Sequence, residues 1–539
     1  MHGAGHRLVT EVAQLIELAQ TGGAQAALER ADLLLQSGDV DGYSRAGLHY
    51  ARVIAFAVAG DHDGMLDACA EALHVARTEQ HAMWTAAVLG LRAGEQVGPA
   101  GPDMSSYDMD EVLTDLATAE VALESAGAVD AFVAGHAHTN IANAYQKLRL
   151  YELALPHYER AYDVSVGTCA GAVSAEPVMW LSNLAMCHLD WVLELYAVAR
   201  VEEAEAHSVE AGRYATQAVD AAAGLEGAAF LDYATLLDAC ARADGPEPAG
   251  VADEIDEAVA RLESRGLVDQ TMQARPFHAV ALRRTGRHAE AMRVIEEATA
   301  LTERMPVDWL TEAAIRRTHA VLLVADGIPG AEVALRYADV LAEALWRQRQ
   351  RSLDTATTKQ SYERLRSQHA EMVRHAGSDG LTGVANRRGL EQVLADIAGR
   401  GSLVVTILVA DMDSLKELND TRGHEVGDLA IKSVAEAIVG SVREGDFVAR
   451  LGGDEFVAVL PGLERGAGEL VAERIVASVH ARTWDAGTVS VGVATGEAAE
   501  VRALLAAADA AMYVAKRSGG NSVSTAAAVA SAAAARQTR

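Results

Sequence analysis

The sequence predicts a multidomain protein in three parts: an N-terminal all-α solenoid of helix pairs, a long connector helix, and a C-terminal α+β domain. Three observations predict this. An Ala- and Leu-rich pattern of helical period, without strand alternation, runs from about residue 10 to 325. Neither Gly nor Pro occurs from Ala331 to Ala376, and from Ser378 onward β-branched runs alternate with helical stretches. The predicted limits are 1–328 for the repeats, 329–377 for the connector, 378–524 for the α+β domain and 525–539 for an Ala-rich tail, read as disordered or a frayed helix.

Composition agrees with this division. A chain of 539 residues accommodates two to four domains at roughly 150 residues each. Half the residues are apolar, only ten are proline and the formal charge is −30, which describes a soluble, helix-rich, acidic protein. No stripe of Lys and Arg stands out, so nucleic acid is not an expected partner. The start, "MHGAGHRLVTEVAQLIELAQ", lacks an apolar segment behind a basic one, and no stretch reaches about 18 strongly apolar residues, so no membrane is expected and the location is cytoplasmic. Cys69, Cys169, Cys187 and Cys240 lie far apart, without metal or redox spacing, and are expected as buried thiols.

The clearest helix pair is "NIANAYQKLRLYELALPHYERAYDV", with Ile141, Ala142 and Tyr145 on one helix and Ala154, Tyr158 and Ala161 on the next. Small residues let the helices approach while tyrosines fill the gap above them. This resembles a tetratricopeptide repeat. Weaker copies are "FHAVALRRTGRHAEAMRVIEEATAL", with Ala279, Leu282, Ala291, Ile295 and Ala298, and "ARVIAFAVAGDHDGMLDACAEAL". An irregular helical bundle is the alternative. A solenoid offers a concave surface, so the region is assigned a sensory or docking role for an unknown protein or small-molecule ligand. Trp84, Trp180, Trp191 and Trp309 are candidates to line that groove, with burial in the core as the alternative.

The connector follows Pro329-Gly330 and has room for one helix of about 45 residues, roughly 70 Å. Two coiled-coil seams step along it by 3 and 4: Trp346, Arg349, Leu353, Ala356 and Gln360, then Tyr362, Leu365, His369, Met372 and Ala376. Their registers do not join. The expectation is a weak parallel dimer able to shift between arrangements; the alternative is a solvated helix.

In the last part "SLVVTILVAD" reads as a buried strand, "AIKSVAEAIVGSV" as a helix, "FVARL" and "FVAVL" as two strands, "GELVAERIVASVHA" as a helix, "GTVSVGVAT" as a strand and "VRALLAAADAAMYVAKR" as the last helix. The order βαββαβ is ferredoxin-like, an antiparallel sheet with helices on one face. The first strand ends in "ADMD" and the hairpin turns at "GGDE", so Asp411 and Asp454 are expected at one sheet end. Gly452 and Gly453 permit a tight turn and a close phosphate approach. Paired carboxylates on rigid elements suit magnesium when substrate phosphates complete its shell, and point to two-metal nucleotidyl transfer.

The domain resembles the GGDEF-type diguanylate cyclases, through "DGLTGVANRRGL", "DMDSLKELNDTRGHEVGD", "RLGGDEF" and "ADAAMYVAKRSGGN" in that order. The resemblance implies that two GTP become cyclic di-GMP in a homodimer, with two Mg2+ (or Mn2+) per site. It implies metal binding by Asp411, the Met412 carbonyl, Asp454 and Glu455, with Asp454 also the base for the ribose hydroxyl and Glu455 in support. Asn419 and Asp428 would read guanine, and Lys416 and Lys516 would contact phosphates. Arg443 and Asp446, in "REGD", match the inhibitory site for cyclic di-GMP. Two departures are Gly520, where the family has a phosphate-contacting Arg, so that either Arg517 substitutes or GTP binds less tightly, and Ser414 in place of an aromatic residue or His. The alternatives to an enzyme are a cyclic di-GMP receptor and an interaction scaffold with a nearly silent cyclase.

Overall fold

The computed structural model describes residues 11–37, 40–97, 107–126, 130–168, 175–223, 225, 228–246, 248–305, 307–483 and 487–527. Cys169 and the tail from residue 528 lie outside the described residues. The chain divides into two compact units, Met1–Leu365 and Arg366–Arg539.

The first unit is helical throughout its described residues, and consecutive helices pack on one another. In the pair Ala131–Lys147 and Tyr151–Thr168, the residues Ile141, Ala142, Tyr145, Ala154, Tyr158 and Ala161 are all buried. Asp130 starts the first helix by accepting from the amides of Phe132 and Val133, satisfying donors that have no partner within the helix. Arg149 turns the chain with φ +62°. The next pair, Glu176–Ala197 and Val201–Ala222, turns at Ala199 with φ +57°. The same offset recurs in a pair of histidine contacts: His138 and His157 meet Nδ1 to Nδ1 at 2.8 Å, and His188 and His207 at 2.9 Å. The two hairpins therefore repeat one plan. Ala279, Leu282, Ala291, Ile295 and Ala298 are buried in the later pair. Cys69, Cys187 and Cys240 are free and buried.

The tryptophans divide between core and cavity. Trp84 and Trp180 are buried in the core, Trp191 stacks on Tyr151 at 5.5 Å, and Trp309 borders a cavity.

Ala331–Gly377 is one helix of 47 residues. Its first seam is not a free coiled-coil surface. Ala356 and Arg349 are buried within the helical unit, with Trp346 and Leu353 packed against the same core. Arg349 donates from Nε to the Arg149 carbonyl at 2.6 Å and pairs with Glu152, while Gln360 donates to Glu120 at 2.7 Å. The second seam stays open: Tyr362, Leu365 and Met372 are about two-thirds exposed, at 64%, 63% and 59%. The register break coincides with the change from packed to exposed residues.

The second unit holds a five-stranded sheet in the order β2-β3-β1-β4-β5, with β1 Val404–Met412, β2 Phe447–Gly452, β3 Glu455–Pro461, β4 Val489–Glu497 and β5 Val523–Thr525. Helices α1 Arg387–Ala398, α2 Leu415–Arg422, α3 His424–Val439, α4 Arg465–Thr483 and α5 Val501–Arg517 fill the intervals. Two expectations are corrected. The sheet is mixed, because β5 adds in parallel to β4 through Val491 and Val523. Helices cover both faces: Leu408, Ala410 and Met412 of β1 face a core with α3 and α4, while Val405, Ile407 and Val409 face one with α1 and α5. Eight of the nine β1 residues are buried, as a strand between two helical layers requires. Among the described residues no helix is long and apolar enough to cross a membrane.

Candidate active site

Strand register assembles the site. β1 runs antiparallel to β3 with Asp411 opposite Glu455, and the Met412 amide donates to the Asp454 carbonyl at 3.2 Å. Asp411, the Met412 carbonyl, Asp454 and Glu455 therefore share one end of the sheet. Asp411 is 7% exposed, Asp454 half-buried and Glu455 exposed. Gly452 and Gly453 form the intervening turn at φ +149° and +56°, left-handed geometry in which a side chain is strained. Open space surrounds both positions.

The electrostatics favour a cation. Burial pushes the Asp411 carboxyl above its ordinary range, Asp454 and Glu455 push in the same direction, and Lys516 opposes them. Burial alone would lower the Lys516 ammonium, yet Asp411, Asp454 and Asp413 hold it raised. Lys516 Nζ pairs with Asp411 and lies 3.4 Å from the Met412 carbonyl oxygen. A positive charge thus already stands between the two oxygens assigned to a metal. Among the described residues no three His, Cys, Asp or Glu side chains form a metal-holding group by themselves. Three carboxylates, a carbonyl and substrate oxygens make an all-oxygen donor set, which fits a hard divalent cation.

Of the residues expected to bind substrate, Lys416 and Asp428 are exposed on α2 and α3. Asn419 on α2 is half-buried, its Oδ1 has no partner, and it lies so close to Gly427 that a Cβ there would fall 1.9 Å away. This unpaired acceptor lies against Gly427, the residue before Asp428. Lys516 is paired with Asp411.

Arg443 and Asp446 are brought together, but elsewhere. The Asp446 side chain is buried, accepting from the Arg443 amide at 3.0 Å and from its Nε at 3.3 Å, and Arg443 Nη2 donates to the Pro461 carbonyl at 2.6 Å. Pro461 is at the opposite end of β3 from Glu455, about 20 Å away at roughly 3.4 Å per residue.

Three residues beyond the expected set hold the site in shape. Arg450 Nη1 donates to Asp379 at 3.0 Å, and its Nε and Nη2 donate to the Gly453 carbonyl at 3.0 and 2.8 Å. Asp379 also accepts from the Thr382 amide and hydroxyl. Asp413 gathers Thr488 at 2.7 Å, Ser490 at 2.8 Å and the Asn521 amide at 2.8 Å, binding the chain after α5 to the end of β1. All three lie inside motifs read from the sequence, but no spacing rule pairs Arg450 with Asp379. Asp413 also accounts for Gly520, which has φ +71° and where a Cβ would lie 2.9 Å from the Asp413 carboxyl. Ser414 begins α2 in the same left-handed region, at φ +64°.

Residues 376–522 match the family model described as "Diguanylate cyclase, GGDEF domain". The second unit therefore contains a GGDEF domain. Among the curated relatives, "Diguanylate cyclase TpbB" of Pseudomonas aeruginosa is 40% identical over 167 residues, covering 29% of this chain and 38% of that protein. "Diguanylate cyclase DgcS" of Shewanella oneidensis is 38% identical over 161 residues, covering 29% and 54%. The chain thus spans about a third to a half of these relatives. Among solved structures, the coiled coil and GGDEF domain of DgcB from Caulobacter crescentus in complex with c-di-GMP is 31% identical, covering 32% of this chain and 97% of that one, with a TM-score of 0.30.

Proposed function

We propose that the protein is a diguanylate cyclase that condenses two GTP into cyclic di-GMP and two pyrophosphates. The observation that carries this is the register setting Asp411 opposite Glu455 and joining Met412 to Asp454, within the segment that matches the GGDEF family model. Asp411, the Met412 carbonyl, Asp454 and Glu455 would hold two divalent cations, Mg2+ or Mn2+. Bound there, the ions supply positive charge against the α-phosphate. Asp454 accepts the ribose 3′-hydroxyl proton, and the 3′-oxygen bonds to the α-phosphorus of the second GTP as the bond to pyrophosphate breaks. The reciprocal transfer closes the ring.

Lys416 and Lys516 bind phosphate oxygens, Lys516 by giving up Asp411, and the bare Gly452-Gly453 turn leaves them room. Asn419 and Asp428 take the guanine edge. A buried acceptor left unpaired costs about 1–3 kcal/mol, which disfavours a base without a matching donor. Each domain holds one GTP, so two copies must face one another, and proximity supplies most of the acceleration. Residues 378–524 form the cyclase domain in this reading. Residues 1–328 are a tetratricopeptide-like sensory solenoid and 329–377 the connector through which it acts. Arg443 and Asp446 bind cyclic di-GMP and restrain the enzyme, whose place is the cytoplasm.

The test is to incubate purified full-length protein with GTP and magnesium and follow cyclic di-GMP by chromatography, with Asp454→Ala as control. Product from the parent and none from the variant supports the reading; equal product from both, or none from dimeric parent stripped of bound cyclic di-GMP, overturns it.

A further inference from the structure

The first unit encloses a cavity of about 460 Å3 whose walls come from both its helical hairpins and the long helix. Asp190, Asp308, Met109, Met186, Trp309 and Leu345 are among the residues that line it. Three cations border it as well, and each is already engaged. Lys147 donates to the Gly94 carbonyl at 2.8 Å and lies 3.7 Å from Glu95. Arg149 clamps Glu194, its Nη2 reaching Oε2 at 2.7 Å, and Arg349 is held by Glu152 and the Arg149 carbonyl.

The two aspartates are not matched in this way. Asp190 is held only by amides, from Gln146 at 2.7 Å and from Gln273. Asp308 accepts from the Thr311 amide at 2.9 Å, as the cap of the helix Trp309–Ala325. Neither has a cation within ion-pair distance among the described residues. Burial, with Asp308 second, pushes the Asp190 carboxyl up to about 8, the state of an acid without a counter-charge. At neutral pH Asp190 is therefore held mostly as the neutral acid, ready to ionise against an incoming cation, and Asp308 is an exposed carboxylate beside it. The remaining lining mixes apolar and aromatic residues with the amides of Asn140, Asn143 and Gln146.

We propose that this cavity binds an organic ammonium ion, its charged head between Asp190 and Asp308 and its carbon body against Met109, Met186 and Trp309. The cavity has the size of a small-molecule site. Because Leu345 and Arg349 of the long helix form part of the wall, occupancy bears directly on how that helix is held.

The experiment is isothermal calorimetry of the full-length protein with 1,4-diaminobutane and 2-phenylethylamine, against 1,4-butanediol and succinate. It reads binding without GTP turnover, so its outcome is independent of the cyclase proposal. Saturable binding of at least one amine, with no binding of diol or succinate, is expected. Asp190→Asn and Asp308→Asn should each weaken it by about tenfold or more, the scale of a charge-assisted hydrogen bond. Asn at position 308 keeps the helix cap, so that variant remains informative if Asp190→Asn does not fold. Failure of both amines to bind at millimolar concentration, equal binding of succinate, or unchanged affinity in the folded variants overturns the proposal.

Discussion

Arg450 and Asp379 are joined by one guanidinium nitrogen that donates to both carboxylate oxygens, at 3.0 and 3.2 Å, while the other edge of Arg450 grips Gly453. The turn that carries Asp454 is thereby fastened to the loop that follows the long helix. That loop is itself tied down by Asn386, whose Nδ2 donates to the Ala376 and Ser378 carbonyls at 2.8 and 2.9 Å.

Arg450→Ala should therefore slow cyclic di-GMP formation by about ten- to a hundredfold through misplacement of the turn. Arg450→Lys should recover little, because one ammonium cannot reproduce the fork. The check is kcat and KM for GTP, with the loss expected in kcat. An Arg450→Ala enzyme with parental kcat would show that the clamp does not position the turn.

Gly520→Arg restores the family's residue at that position but should not improve the enzyme. The backbone there is left-handed and the new Cβ meets Asp413, so a destabilisation of about 1–3 kcal/mol is expected. Thermal unfolding and the KM for GTP measure this: the expected outcome is a lower Tm with KM not decreased.

Asp190 gives the first unit a pH dependence of defined sign. Its folded pKa of about 8 lies above the ordinary 3.8, so between those values the native state binds more protons than the unfolded state. This contribution to stability falls as pH rises from about 4 to 8 and is flat above. The size is on the order of a few kcal/mol, at about 1.4 kcal/mol per unit. Asp190→Asn removes it, so the variant should gain on the parent across that window in urea unfolding. A difference independent of pH would refute the assignment.

Arg349→Ala should cost about 3–5 kcal/mol, since it removes a buried guanidinium and strands Glu152. Leu365→Ala, on the open seam, should stay within about 0.5 kcal/mol. Chemical unfolding of each in dilute protein, where chains do not associate, makes the comparison.

The meeting of Asp411 with Asp454 was legible because it needs only strand order: a first strand ending in acids and a hairpin turning on glycines. The burial of Tyr145, Tyr158 and their alanine partners was legible from helical period for the same local reason. The two-sided cover of the sheet stood in the unbroken run "VVTILVA", which a half-exposed strand would not tolerate, yet the βαββαβ order suggested one covered face. The Arg450 to Asp379 pair was not legible, because it joins charged residues 71 positions apart and either alone reads as a surface charge. The aspartates of the cavity escaped notice similarly: they come from separate helices, and nothing in the sequence says which acids lack a counter-ion.

The two seams of the long helix have one more consequence. Successive residues advance by about 100° around the axis, so Leu365 lies about 180° from Ala356 and Tyr362 about 200° from Gln360. The docked seam and the open seam are on opposite sides of the same rod. A second chain gripping Tyr362, Leu365 and Met372 would thus approach from behind. The helix can be held by its own helices and by a neighbour at once, and neither grip has to loosen for the other to form.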